Sequence, residues 1–341
     1  MCNKLIVTMR YRPLGDSGIH ASVIGLGTWV TGGSPIWGQE PDDSESIRAI
    51  ESAIEAGINF IDTAPIYGIG KSEEIVGRAI KGKRDQVVLA TKCGLRWDDA
   101  TGTAFGESYG KKIFRNTRPD SIQHEIEQSL QRLGTTYIDL YQIHWPTVDH
   151  MTMPVSDTLA TLTKLQDQGK IRAIGVSNLS VNELDQYLKH AHIVSNQARF
   201  SMLTQKQEEA MIEECREMHI AFIAYQPLEQ GLLTGKITRE TTFEDGDIRS
   251  NYDWNPWFEP TRRDHVLDIL DSWQDLTHKY DCTLAQLVLA WTIEQPGVTH
   301  VLAGARNVQQ AEANARGGEL VLGDHDIERI TTDIKSLKSL I

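Results

Sequence analysis

Asp62 and Tyr67 stand five residues apart in Ile61-Asp62-Thr63-Ala64-Pro65-Ile66-Tyr67-Gly68, and the proline-containing turn between them can carry a phenol back over a carboxylate. Further along, Lys92 follows the run Val87 to Thr91, and His144 ends the run that begins at Ile138. A free phenol, with a pKa of about 10, is a poor proton donor or acceptor at neutral pH. An adjacent ammonium stabilises the phenolate, so the sequence predicts a Tyr67 pKa lowered by Lys92. A desolvated lysine sheds its proton unless a carboxylate holds the charge, and Asp62 is the natural counter-ion. His144 would then donate to and orient a substrate oxygen. Such a set suits proton transfer at a carbonyl oxygen. The carbonyl carbon needs hydride, which no side chain delivers, so a nicotinamide cofactor is implied.

Bringing these residues together requires a scaffold, and the chain alternates short β-branched runs with helical patterns, the signature of a parallel sheet covered by helices. Eight runs read as strands: Val23 to Gly27, Ile58 to Asp62, Val87 to Thr91, Ile138 to His144, Ile171 to Val176, Ile193 to Gln197, Ile220 to Tyr225 and Thr299 to Gly304. Between them, Ile47, Ile50 and Ile54 share a helical face stopped by Gly57, as Ile122, Ile126, Leu130 and Leu133 share one stopped by Gly134. The expected fold is an α/β (β/α)8 TIM barrel. Tyr11 to Leu14 and Ile19 to Ser22 flank Gly15-Asp16-Ser17-Gly18 as an N-terminal hairpin, placed to plug the barrel's lower end.

In such barrels chemistry is built at the C-terminal ends of the strands. Here those ends are polar: Asp62, Lys92, His144, Ser177-Asn178, Asn196-Gln197, Tyr225, and Gly304-Ala305-Arg306. Three long connections follow strands, Thr28 to Pro41, Cys93 to Arg118 and Gln226 to about Arg263, and read as long βα loops on that same face. They hold Trp29, Trp37, Trp97, Trp254 and Trp257, with Trp145 just after His144. These rings predict an aromatic-walled substrate pocket formed by Trp29, Tyr67, Trp97, His144 and Trp145. Neither Gly25-Leu26-Gly27-Thr28-Trp29-Val30 nor Gly68-Ile69-Gly70-Lys71-Ser72-Glu73 completes a Rossmann fingerprint, so a dinucleotide would have to bind in the barrel mouth.

The 341 residues give about two domains as a length prior, but α/β barrels exceed it, and one barrel domain over residues 9–341 with a short extension at 1–8 is the better division. Hydrophobic residues at 40% and charged residues at 24% are ordinary globular composition, which excludes disorder, collagen and coiled coil. A net charge of −13 argues against nucleic acid as a partner. The longest uncharged stretch, Ile19 to Gln39, is broken by glycines, and Leu5-Ile6-Val7 is too short for a signal-peptide core, so no membrane association is expected and the expected location is cytoplasmic. Cys2, Cys93, Cys215 and Cys282 lie far apart, without zinc spacing, which suits a reducing compartment and no structural metal. Strand alternation points Cys93 away from the side that Lys92 faces.

Gly57 to Gly68 with Ser72-Glu73 resembles the aldo-keto reductase signature. The likeness extends through Ala90-Thr91-Lys92, Tyr137 to Pro146, Gly169 to Asn178 and Gly231 to Lys236, roughly Tyr11 to Asn314 in all, and looks closest to the bacterial branch with general-stress and inositol-type dehydrogenases. The resemblance implies a (β/α)8 barrel binding NADPH/NADP+ in its mouth, with a catalytic tetrad at Asp62, Tyr67, Lys92 and His144. It implies Ser177, Asn178 and Gln197 at the carboxamide side of the nicotinamide and Tyr225 stacked on the ring. Gln226, Pro227, Leu228, Gly231, Leu232 and Lys236 would line the pyrophosphate. Arg306 would read the 2′-phosphate, with Gln310 and Asn314 toward the adenine and Gly27, Thr28, Trp29 and Gly304 completing the wall. Gln226 stands where many relatives have Ser, and Ala313 where many have an acidic residue.

The leading expectation is an NADPH-dependent oxidoreductase acting on an aldehyde, ketone or sugar, or on the corresponding alcohol. Two alternatives remain at this point. One is a cofactor-sensing binding subunit resembling potassium-channel β subunits, which lack a histidine at the position of His144. The other is a Schiff-base aldolase using Lys92.

Overall fold

The computed structural model describes residues 8–33, 42–205 and 209–338. Strands are β1 Tyr11–Pro13, β2 His20–Ser22, β3 Ile24–Gly27, β4 Phe60–Asp62, β5 Val88–Cys93, β6 Leu95–Arg96, β7 Thr103–Ser108, β8 Lys111–Arg115, β9 Ile138–Ile143, β10 Ile171–Ser177, β11 Ile193–Arg199, β12 Ala221–Tyr225 and β13 Val298–Gly304. Helices are α1 Asp43–Glu55, α2 Lys71–Ala79, α3 Pro119–Leu133, α4 Val155–Asp167, α5 Val181–Leu188, α6 Glu209–Glu217, α7 Pro260–Asp271, α8 Gln274–Tyr280, α9 Leu284–Ile293, α10 Val308–Glu319 and α11 Asp324–Lys338. β3, β4, β5, β9, β10, β11, β12 and β13 close into a barrel in chain order, every pair parallel, with β13 returning to β3. All eight strand runs read from the sequence are barrel strands.

The helix ends obey the local chemistry. Pro119 opens α3, where its missing N–H costs nothing, and Gly134 closes it in the left-handed region. Ser180 and Glu183 make a reciprocal capping box on α5. A large apolar layer joins the barrel's outer face to the helices. A smaller one fills the barrel interior, where Phe60, Val88, Leu140, Ala173, Val194, Ala221 and Leu302 meet Leu14, Ile19 and Ala21 of the β1–β2 hairpin. The hairpin therefore seals the N-terminal end. At its tip a Cβ on Gly15 would lie 2.5 Å from the carbonyl oxygen of Val194, with φ at +53°, so only glycine lets the turn press this closely on the floor.

The connection from Cys93 to Arg118 is more than a loop. β6, β8 and β7 form an antiparallel sheet whose hairpin turns at Tyr109-Gly110, both with positive φ. That is the backbone handedness of a tight two-residue hairpin. The β12 connection carries 3-10 turns at Glu229–Thr234, Ile248–Ser250 and Pro256–Phe258 before α7. No helix among the described residues is long and apolar enough to cross a membrane.

Candidate active site

β4 ends at Asp62, β5 carries Lys92, β9 hands over to His144, and the turn after β4 brings Tyr67 back across them. The Lys92 ammonium, fully buried, donates to Asp62 Oδ2 at 2.6 Å, to the Thr63 carbonyl at 3.0 Å and to Tyr67 Oη at 3.2 Å. The Tyr67 and His144 rings meet edge to face with centroids 5.8 Å apart. Three hydroxyls brace the turn: Ser72 bonds both Thr28 and Thr63, and Thr28 donates to the Asp62 carbonyl. Tyr109, at the tip of the β7–β8 hairpin, donates to the Gly33 carbonyl and accepts from the Gly68 N–H, tying the inserted sheet to the turn that holds Tyr67.

Burial pulls the Lys92 pKa down, but Asp62 and then Tyr67 together outweigh it and raise it above the usual lysine value. The ammonium is thus charged, which removes the free amine that a Schiff-base aldolase would need. Tyr67 departs from the sequence expectation. Burial raises its pKa, and the opposing pull of Lys92 is offset in part by Asp62, so the phenol stays protonated more firmly than a free tyrosine. Burial and the neighbouring Lys92 charge hold His144 well below the ordinary histidine value, as a neutral imidazole. Cys93 is a buried thiol raised first by burial and then by Glu125, the opposite of a reactive cysteine.

The sequence reading passes over Gln142. Its Nε2 donates to Asp62 Oδ1 at 2.9 Å, as does Gln197 Nε2, also at 2.9 Å. The alternation Leu140, Gln142, His144 along β9 carries the signal, because residues two apart share a face and Leu140 lies inside the barrel.

Above this layer, Asn178 takes a left-handed φ of 60°, donating to the His144 carbonyl at 3.0 Å and accepting from Tyr225 Oη at 2.9 Å. Ser177 donates to the Gln197 carbonyl at 2.8 Å. Gln226 and then Glu229, Gln230 and Gly231 also take positive φ, turning the chain sharply after β12. Pro227 and Leu232 are buried, Leu232 within the core, while Leu228 accepts the backbone N–H groups of Gly231 and Leu233, and Lys236 is exposed. Gly27 lies in register with Asp62 on one side and Gly304 on the other. The Gly304 carbonyl accepts from Asn314, and Gln310 accepts the Arg306 N–H at 2.9 Å. Burial and then the Arg249 charge press on the half-buried Arg306 guanidinium, and Asp247, paired with Arg249, opposes them.

The tryptophans divide. Trp29 lies 6.3 Å from the Tyr67 ring and packs edge-on to Trp254 at 6.5 Å, with Arg199 over Trp254. Trp145 meets Phe105 of the inserted sheet in a tilted contact with centroids 5.4 Å apart, Arg115 facing both rings. Trp97 is half-buried. Trp257 is not a wall of the mouth; it is buried in the core with Phe258. Trp37 lies outside the described residues.

A dinucleotide fits these groups. Gln226 Oε1 and Gln230 Oε1 are buried without a protein partner among the described residues, and the Arg249 charge acts against that of Arg306. The two amide oxygens accept and call for hydroxyl or N–H donors, which the riboses and amides of a dinucleotide carry, while its phosphates would offset the two like charges. No group of three or more His, Cys, Asp or Glu among the described residues is placed to hold a metal.

The aldo/keto reductase family model matches residues 23–334. The NADH-specific methylglyoxal reductase of Escherichia coli (strain K12) is 40% identical over 319 residues, 93% of this chain and 96% of its own length. Aldo-keto reductase YhdN of Bacillus subtilis (strain 168) is 40% identical over 331 residues, 96% and 94% of the two chains. Among solved structures, the glycerol dehydrogenase AKR11B4 from Gluconobacter oxydans matches with a TM-score of 0.83 and 35% identity, covering 97% of this chain and 95% of that one. A closed barrel carrying a buried Asp62–Lys92–Tyr67 contact at its mouth, and likeness that runs nearly end to end, lead to one assignment: the chain belongs to the aldo/keto reductase family.

Proposed function

We propose that the protein is an NADP(H)-dependent oxidoreductase interconverting a small carbonyl compound and its alcohol, with Tyr67 as the general acid in reduction. The observation that carries this reading is the Lys92 ammonium, fixed on Asp62 at 2.6 Å and donating to Tyr67 Oη at 3.2 Å. Bound nicotinamide supplies or accepts the hydride at the carbonyl carbon. Tyr67, a protonated phenol, gives its proton to the carbonyl oxygen, and Lys92 steadies the phenolate left behind. In alcohol oxidation the same phenolate takes the proton back. His144, neutral, donates to the substrate oxygen and holds it toward Tyr67.

For the cofactor, Ser177, Asn178 and Gln197 would hold the carboxamide and Tyr225 the ring face. Gln226, Pro227, Leu228, Gly231, Leu232 and Lys236 would line the pyrophosphate, with Gly27, Thr28, Trp29 and Gly304 nearby. Arg306, seconded by Arg249, would take the 2′-phosphate, with Gln310 and Asn314 toward the adenine. Trp29, Trp97 and Trp145 would wall the substrate side. His144 beside Tyr67 favours turnover over a sensing subunit. Within the family we place the chain in the bacterial branch with general-stress and inositol-type dehydrogenases, as one barrel domain over 9–341. Cys93, Cys215 and Cys282 stand outside any disulfide among the described residues, which supports a cytoplasmic location.

The test is NADPH oxidation with a panel of aldehydes and ketones that includes methylglyoxal, and NADP+ reduction with polyols and sugars that include glycerol. Tyr67→Phe should lower turnover about 10²-fold or more while NADPH affinity stays near that of the native enzyme. Native rates in Tyr67→Phe would overturn the assignment of the acid.

A further inference from the structure

Asp62 has two carboxylate oxygens, and the barrel assigns them different partners. Oδ2 takes the Lys92 ammonium at 2.6 Å. Oδ1 takes two amide donors at 2.9 Å each, from Gln142 and Gln197. Gln197 Nε2 also donates to Gln142 Oε1 at 3.1 Å, which closes a ring of three side chains inside the barrel. Gln142 is fully buried and Gln197 nearly so. The space for Gln142 is made by a missing side chain on the next strand. A Cβ on Gly175 of β10 would lie 2.9 Å from Gln142 Cγ and 2.5 Å from Ser195 Oγ.

We propose that Gln142 is a positioning residue for proton transfer, holding Asp62 with Oδ2 on Lys92 and setting the Gln197 amide so that its oxygen is left for the nicotinamide carboxamide. This rests on the reading of Tyr67 as the acid and base. A carboxylate with three well-directed donors has little freedom to rotate. Loss of the Gln142 donor leaves one lone pair of a buried anion unmet and concentrates its charge. That charge opposes ionisation of Tyr67, so its loss of screening moves the phenol further up. The charged and titratable groups facing this cluster are Lys92 from β5, Tyr67 from the turn after β4 and His144 after β9; β10 and β11 present Gly175, Ser195 and Gln197, and the end of β3 presents Thr28. The same ring joins the charge on Asp62 to the amide that would receive the cofactor. Binding and proton transfer thus share one hydrogen-bonded unit.

Gln142→Met keeps the side chain's length and removes both polar atoms; Gln142→Asn keeps an amide and withdraws it by one methylene. Each is compared with the native enzyme and with Tyr67→Phe, using methylglyoxal with NADPH, glycerol with NADP+, NADP+ binding followed by tryptophan fluorescence, and thermal unfolding. The expected result for both Gln142 variants is a folded protein with turnover down about tenfold. Their alcohol-oxidation pH profile should move up by about half a unit to one unit, and NADP+ should bind several-fold more weakly. Native turnover, pH profile and NADP+ affinity in either folded variant would overturn the role of Gln142. An active Tyr67→Phe would instead overturn the reading of Tyr67, whatever the Gln142 variants do.

Discussion

Tyr67 and His144 face each other edge to face at 5.8 Å, and both rings are uncharged: one phenol held up by burial, one imidazole held down by burial and the Lys92 charge. Carbonyl reduction needs both in that form. For reduction, kcat/KM should therefore be flat across neutral pH, with no break at the ordinary histidine value of about 6.5, and should fall only above about pH 10 as Tyr67 ionises. Alcohol oxidation needs the phenolate and should rise with pH over the same range. A reduction profile that breaks near pH 6.5 would show a titrating His144.

Lys92→Met removes the ammonium from Tyr67 and strands a buried carboxylate. The rate should fall about 10²-fold or more, and stability should fall by about 3–5 kcal/mol, the usual cost of breaking a buried ion pair. Adding Asp62→Asn removes the stranded charge. The double variant should regain most of its thermal midpoint and none of its rate, which calorimetry and kinetics read separately.

Arg306→Ala should weaken NADPH binding by about 10- to 100-fold, the range for charge-assisted hydrogen bonds, and leave NADH binding nearly unchanged. Titration by tryptophan fluorescence gives both constants. Equal losses would show that Arg306 does not read the 2′-phosphate. The comparison has a natural reference in the Escherichia coli relative described as NADH-specific.

Glu125 on α3 accepts the Gly94 N–H at 3.0 Å and the Ser121 hydroxyl at 3.3 Å, and burial raises its pKa to about 8 against the partial relief given by Arg96. Its folded pKa lies above its unfolded one, so the folded chain keeps a proton that the unfolded chain releases. Stability from this site is full below about pH 4.5 and declines as pH rises to about 8. Glu125→Gln should match the native thermal midpoint near pH 5 and exceed it by a few degrees at pH 9. No gain at pH 9 would mean that Glu125 is ionised at little cost.

The barrel was legible because each strand is a compact β-branched run followed by a polar end, and parallel strands buried on both faces read as near-continuous apolar segments. Asp62, Tyr67, Lys92 and His144 come together as their spacing implies. The inserted sheet was not legible: Thr103 to Ser108 is mostly exposed and carries no apolar alternation, and its turn signal was one glycine, Gly110. The Tyr67 pKa was misjudged because proximity of an ammonium is visible in sequence, whereas the depth at which the phenol sits is not. Trp257 belongs to the core because Pro256–Phe258 turns inward, a matter of loop geometry rather than residue type. Gln142 escaped as an uncharged residue one place before the end of β9.

The hairpin that packs Leu14 and Ile19 under the barrel closes its lower end, so Lys92, Tyr67 and His144 are approached from the face where the strands end. The cofactor and substrate of the proposed reaction would then come in from the same side. A partner seated deeper should arrive first and depart last, an order that product-inhibition patterns read directly. Excess of the outer partner should then trap the inner one, and substrate inhibition would be a consequence of how the first strands of the chain close the floor.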